Sequence, residues 1–406
     1  MRPRTLVLLL ATAALIAKLY CAATTIGTSD VYLFYTFAAE IHAHGLLAMY
    51  RVTSFFNHTP LVGWFSEAAY VLAGGGDPTG EDKRYFVFYL RLPAIFADFF
   101  ATIALLWLRE KTGRPAWWAL AIFAASPVAF MVSGYHGNVD SVMALGVLLA
   151  AVACATDHPA WCGISLGLAC NIKIVPLLLA PVFFFLWWQR RQAIRFVWPA
   201  VLTILAGWSY PLLKIPETFL ESVLGYGSIW GVWGITYALR LTNHPALRDI
   251  TFDHTTPAQA NIMTGLKLLI VLSALLLAWR GRHAQGVGVF QTLTLVWAVF
   301  FVFAPGFGAQ YLAWLAPCFL VANERWYAAL TAASSVALFA FYTVISGGLP
   351  WRQGFTVHAI ASRWTGWLVL PWLMLVAFLI WEAYQVFISR REISRIGLMS
   401  PIGPIE

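Results

Sequence analysis

A few polar residues stand out in an otherwise apolar chain. The stretch GYHGNVDS, Gly134 to Ser141, sets His136, Asn138 and Asp140 between the runs AWWALAIFAASPVAFMV and VMALGVLLAAVACA. A plain membrane turn needs none of that chemistry. Asp30 follows the first apolar run, in TIGTSDVYLFYTFAAEIHAHG. A carboxylate there is either a helix cap or, in suitable company, a general base. Lys173 ends the triplet NIK with apolar sequence on both sides. An unpaired cation at membrane depth costs at least about 2.5–3.5 kcal/mol, so Lys173 needs a counter-charge. Asp98 or Asp140 would supply an internal one, and the phosphate of a lipid substrate would supply an external one. Arg91 and Asp98 in RLPAIFADFF lie two helical turns apart and suit either mutual pairing or anion binding. Arg352, His358 and Arg363, before the last apolar run, are further anion donors or solvated surface.

Other chemistries lack their residues. His42 and His44 point to different sides of a helix, and no His-x-x-His or His-Glu-x-x-His pattern is present. Glu40 and His44 are spaced for a local pair. No cofactor is expected, and a divalent metal shared by Asp30 and Asp140 is the disfavoured option. The cysteines (Cys21, Cys154, Cys162, Cys170, Cys318) lack metal spacing and mostly read as buried hydrophobes. Asn57-His58-Thr59 is formally a glycosylation acceptor, but His58 matters more as a polar residue just before Pro60. Neither a G-x-S-x-G elbow nor a Walker-type phosphate loop is found.

The elements that must position these groups are membrane helices. The chain is 60% hydrophobic and 11% charged, with a mean hydropathy of +0.73. Apolar runs of about 17–25 residues recur along its length, which predicts an all-α polytopic protein in one domain, 1–406. Spans are expected at Thr5–Ala23, Phe86–Leu108, Ala116–Val132, Val139–Ala155, Phe196–Leu213, Ile262–Trp279, Val287–Ala304, Gln310–Val321, Trp326–Ile345 and Trp364–Phe387. The first resembles a signal peptide, but Lys18 interrupts the small-residue end that cleavage needs, so a retained span is expected. TPLVGWFSEAAYVLAGGG is too short to cross and carries Glu67; it predicts an interfacial helix capped by Thr59 and opened by Pro60. WCGISLGLACNIKIVPLLLAPVFFFLWW predicts two half-length helices meeting at NIK, because one straight helix would hold Asn171, Lys173 and Pro176 at its middle.

With those choices more than half of the 26 Lys and Arg fall on one side, from Arg2 and Arg4 to Arg390, Arg391 and Arg395. The positive-inside rule then gives about twelve crossings with both termini cytoplasmic. It explains the +8 formal charge without nucleic acid. The loops 24–85 and 214–261, GYHGNVDS, NIK and APGFGAQY collect on the other, extracytoplasmic side.

Several of these segments, taken in order, resemble the GT-C superfamily of integral-membrane glycosyltransferases that use polyprenyl-phosphate sugars. The order is an Asp after the first span, NHTPLVGWF, RLPAIFADFF, GYHGNVDS, NIKIVPLLLAP and PGFGAQYLAWLAP. It is most similar to the GPI mannosyltransferase II-related bacterial proteins and the dolichyl-phosphate-glucose-dependent glucosyltransferases. Thr59-Pro60 replaces an expected Pro-Pro, and a single Asp30 replaces the acidic pair of some relatives, which disfavours metal.

The resemblance implies hexose transfer from a polyprenyl-phosphate donor to a lipid or glycan acceptor, with inversion. A glycosidase needs two carboxylates because its leaving alcohol must be protonated. A phosphate leaves without an acid, so one base suffices, with cations to meet the departing charge. Asp30 is the expected base, and Lys173, Arg363, His358 and Arg91 are the expected phosphate partners. His136, Asn138, Asp140, His58, Gln310 and Tyr311 would line the sugar and acceptor pocket. A bacterial inner membrane with the site facing the periplasm suits the compact loops; an endoplasmic reticulum protein would read almost the same. The rival reading is a transporter or flippase of lipid-linked saccharides, which would also have broken helices and buried charges.

Overall fold

Helices form where the apolar runs are, and they break where proline or a polar triplet interrupts them. The structure, a computed structural model, describes residues 2–53, 55–75, 82–225, 229–251, 255–349 and 364–398, among which no strand occurs. Helix α1 (Pro3–Thr24) opens on a proline, whose missing N–H costs nothing at a first helical position. The loop that follows carries α2 (Ser29–His44), α3 (Leu46–Val52) and α4 (Pro60–Leu72). Helix α4 starts at the expected Pro60 and has 13 residues, about 20 Å of rise. Helix α5 (Asp82–Thr112) contains the expected second span.

The third span is not one straight helix. It comprises α6 (Trp117–Ala124), α7 (Pro127–Ala129) and a π-helical turn, Phe130–His136. Pro127 has no amide hydrogen to continue α6, and Ser126 caps the restart by accepting from the Ala129 amide at 3.3 Å. The π turn is wider than an α turn, and it ends on His136.

After α8 (Asp140–Ala155), the NIK segment breaks as expected: α9 (Pro159–Cys170), a turn at 171–174, a 3₁₀ stretch (Val175–Leu179) and α10 (Ala180–Gln189). Arg190 at the end of α10 pairs with Asp157 before α9 at 3.0 Å. The two half-helices therefore return the chain to the end of the bundle where they began. Next are α11 (Ala193–Lys214), α12 (Pro216–Leu224), α13 (Gly234–Arg240), α14 (Pro257–Arg280) and α15 (Gly288–Phe303). The chain closes with α16 (Leu312–Ala322), α17 (Glu324–Ile345) and α18 (Val369–Leu398).

Seven of the described helical segments are long and apolar enough to cross a membrane. Five more apolar helices have only 10–17 residues: α8, α9, Val175–Gln189, α15 and Ala309–Ala322. At 1.5 Å per residue those reach about 15–25 Å, less than the hydrocarbon thickness of about 30 Å. Length alone therefore supports fewer crossings than the apolar runs suggested.

Helices α9 and α11 run parallel and pack closely through glycine. Gly163 faces the Phe196 carbonyl and Ala200, and Gly167 faces Ala200 and Thr203. Small residues let backbones approach in this way inside a membrane. A second core ties the first loop to α11 and α12 through Phe34, Tyr50, Phe56, Trp208 and Phe219. The end of α1, the start of α5, the end of the π turn, the start of α8, the end of α9, the start of α16 and the end of α17 all meet at this end of the bundle. Arginines mark the opposite end, where Arg4 pairs with Glu110 at 2.9 Å. Gly163→Ala should lower stability by about 1–3 kcal/mol through overpacking against the Phe196 carbonyl. Thermal unfolding in detergent reads this as a lower midpoint, and an unchanged midpoint would contradict the packing.

Candidate active site

The site starts from a backbone tie between the first loop and GYHGNVDS. Thr28, just before α2, donates its hydroxyl to the His136 carbonyl at 2.9 Å and its amide to the same oxygen at 3.4 Å. Gly27 precedes it with φ +93°, in space where a Cβ would strike the Arg91 guanidinium and the Tyr135 carbonyl. Gly137 has φ +85° and lies against Val31. Only glycine suits both the conformation and the approach at these two positions. Arg91 is fully buried and holds the junction together. It donates to the Thr25 carbonyl at 3.1 Å, to the Thr25 hydroxyl at 3.0 Å and to the Tyr135 carbonyl.

This junction puts Asp30, in the first turn of α2, against three donors. His136 Nε2 lies 3.0 Å from Asp30 Oδ2, Asn138 Nδ2 donates to it at 2.7 Å and Gln310 Nε2 at 3.4 Å. All three fall on one oxygen, and the Asp30 side chain remains 28% exposed. The Tyr342 hydroxyl meets His136 Nδ1 at 2.9 Å. With the tyrosine hydroxyl donating to Nδ1, the hydrogen of a neutral imidazole sits on Nε2, where it is given to Asp30. Burial alone would raise the Asp30 carboxyl. The charge and hydrogen bond of His136 outweigh burial, with help from Asn138 and Lys173, and hold it at about 2. Asp30 is thus a fixed carboxylate at neutral pH, and Lys173 lies within electrostatic reach of it.

Lys173 pairs with Asp140 Oδ1 at 2.8 Å, and the Trp314 indole donates to the same oxygen at 2.6 Å. Its ammonium sits 4.9 Å from the Tyr311 ring centroid and 5.3 Å from that of Trp314. Asp140 is completely buried, and its Oδ2 has no hydrogen-bond partner among the described residues. The NIK turn is anchored next to it: Thr59 donates its hydroxyl to the Asn171 carbonyl, and Asn171 Nδ2 donates to the Thr203 carbonyl at 2.8 Å. His58, one residue earlier, packs its ring 4.9 Å from Phe34 and 5.8 Å from Phe56. Burial, aided by the Lys173 charge, lowers His58 to about 3, so its imidazole is neutral.

The structure therefore gathers Asp30, His136, Asn138, Gln310, His58, Lys173, Tyr311 and Asp140 at one end of the bundle. Three expectations change. Arg91 was expected at a phosphate, but its guanidinium is buried among carbonyl oxygens that take its hydrogen bonds. Asp98 pairs with neither Arg91 nor Lys173; it takes Lys18 at 2.5 Å and the Ser133 hydroxyl at 2.6 Å. Asp140, read as a pocket wall, is inaccessible and serves as the counter-ion of Lys173. His358 and Arg363 lie outside the described residues. Tyr342 and Trp314 escaped the sequence reading because both sit in apolar helices; the spacing of Trp314 three residues after Tyr311 was the available signal. Among the described residues no group of three His, Cys, Asp or Glu is arranged to hold a metal.

A site with one ionised, partly open carboxylate beside a cation held by a neighbouring acid suits transfer of a group that leaves as an anion. Comparison with known proteins agrees in class. No curated protein matches the chain. Residues 86–305, more than half of its length and including Arg91, the GYHGNVDS turn and NIK, match the family model of glycosyltransferase family 87. The chain is thus a member of glycosyltransferase family 87, a family of membrane glycosyltransferases.

Proposed function

We propose that this protein is a GT-C-type hexosyltransferase that moves a mannose- or glucose-type sugar from a polyprenyl-phosphate donor to a lipid or glycan acceptor. The observation that carries the reading is the arrangement of Asp30: one carboxylate oxygen is held by three donors, and Lys173 stands within electrostatic reach. The site lies at the end of the bundle away from the arginine-rich turns, which supports an extracytoplasmic position by the positive-inside rule. A bacterial inner membrane suits that arrangement, with the five short apolar helices completing about twelve crossings of a single domain.

The acceptor hydroxyl attacks the anomeric carbon from the Asp30 side, and its proton passes to Oδ1, the oxygen with no donor among the described residues. The bond from the anomeric carbon to the phosphate oxygen breaks, and its electron pair leaves on the polyprenyl phosphate. Lys173 meets that growing charge, turning from Asp140 toward the phosphate. Displacement from the opposite face inverts the sugar carbon. A carboxyl titrating near 2 is a weak base, but bond breaking to phosphate leads and proton transfer follows. The anionic donor, once bound, also pushes the Asp30 pKa upward. The reaction needs no metal in this scheme.

Asp30→Asn should lower transfer of label from a radiolabelled polyprenyl-phosphate sugar by about 10²–10⁴-fold, the range for a lost general base. Full activity would refute the base, and label crossing vesicles without new covalent product would support the transporter reading instead. Because Asp30 is depressed, it stays ionised until the pH falls towards about 2. The profile of kcat/KM should therefore show no acid limb from this group above about pH 4, whereas kcat, which reports the donor-bound state, should show one at higher pH. A pH–rate series on wild type and Asp30→Asn separates that limb from others.

Lys173→Met should destabilise the fold by about 3–5 kcal/mol by leaving Asp140 buried and unpaired. The double variant Lys173→Met/Asp140→Asn should recover most of that stability and none of the transfer activity. Recovery of activity in the double variant would show that the pair is structural only.

A further inference from the structure

We propose that a concavity at the arginine-rich end of α9 and α11, far from Asp30, binds the headgroup of an anionic phospholipid. It measures about 700 Å³ and lies between the turn that opens α9 and the turn that opens α11. Its walls include Trp161, Trp198, Ile194, His158, Gln192 and Arg195. The close approach at Gly163 and Gly167 draws the two helices together deeper in the bundle, and the indoles stand above it at the helix starts. Trp161 is 62% exposed, Trp198 60% and Ile194 72%. In water such a cluster of large apolar side chains would be a liability, but at a membrane interface indoles sit at headgroup level.

The charge of the walls identifies the occupant. One acid lines the concavity, Asp157, and Arg190 already pairs with it at 3.0 Å. Arg190 is tied down further by donating to the Ala284 carbonyl at 3.1 Å. Arg195 is exposed and has no hydrogen bond or ion pair among the described residues. Arg191 adds an exposed cation in the same turn. The surplus charge is therefore positive, and the arginine-rich position of these turns puts it at the level of lipid phosphates. Basic notches between helices at that level bind anionic headgroups, and the indole faces would flank the glycerol and upper acyl carbons. The volume far exceeds what one phosphate ion fills, which favours a whole headgroup over free phosphate.

Native mass spectrometry of the full chain in detergent tests the site, with phosphatidylglycerol and phosphatidylcholine of the same acyl chains added in turn, and inorganic phosphate as competitor. Wild type should retain phosphatidylglycerol over phosphatidylcholine. Arg195→Ala should cut that preference about fivefold, the value of one basic residue near an anionic lipid surface. Trp198→Ala should weaken retention of both lipids, and Arg280→Ala, an exposed arginine at the same end but outside the concavity, should change neither. Equal retention of the two lipids by wild type, or an equal effect of Arg280→Ala, would overturn the proposal. Displacement of the lipid by inorganic phosphate, with Trp198→Ala silent, would overturn it in favour of a free-phosphate site.

Discussion

The contact of His136 with Asp30 is the constraint around which the rest of the site is arranged. It joins a residue of the first loop to one 106 positions later, so it exists only if two distant segments meet within hydrogen-bond distance. The chain secures that meeting below the site, in the backbone. Arg91 donates to carbonyls on both segments, and Thr28 bonds to the carbonyl of His136 itself. The π turn supplies the extra width that carries His136 across, and Ser133 within it leans on the Lys18–Asp98 pair. A carboxylate fixed in this way needs little reorganisation as charge moves, which is where preorganised sites gain most of their advantage.

The second half of the site is a balance between charges. A buried pair such as Lys173–Asp140 contributes little to stability on its own, because desolvation offsets most of the attraction. Its value here is that it keeps an ammonium ion available in an apolar surrounding. Asp140 accepts from both Lys173 and Trp314 through one oxygen, while the rings of Tyr311 and Trp314 flank the cation. An incoming phosphate would compete for a lysine that is already desolvated. The Thr59–Asn171 bond sets the distance between this cation and the first loop, and so between the cation and Asp30.

Much of this was legible in the residues. Asp30, GYHGNVDS and NIK were singled out because charged and amide side chains in apolar sequence demand partners, and the structure brings them together. The break at NIK followed from Lys173 and Pro176, and the start of α4 from Thr59-Pro60. What the sequence hid were partnerships rather than participants. An arginine reads the same whether its donors face a phosphate or backbone carbonyls, so the fate of Arg91 needed the fold. Likewise Asp98 could be read as a partner of Arg91, two helical turns away, or of Lys173, and only packing against α1 selects Lys18. Tyr342 sits in a span whose apolar pattern gives no hint of a hydroxyl aimed at His136. Seven of the apolar runs form described helices of span length and five form shorter ones, because apolar composition marks burial as readily as it marks a span.

The most direct measurement is a structure of the protein with a non-hydrolysable polyprenyl-phosphate sugar analogue bound. The account predicts the donor phosphate within hydrogen-bond distance of Lys173 Nζ, with the anomeric carbon turned toward Asp30 Oδ1 and its other oxygen still held by His136 and Asn138. A phosphate bound elsewhere, with Lys173 still on Asp140 and Asp30 out of reach of the sugar, would contradict it.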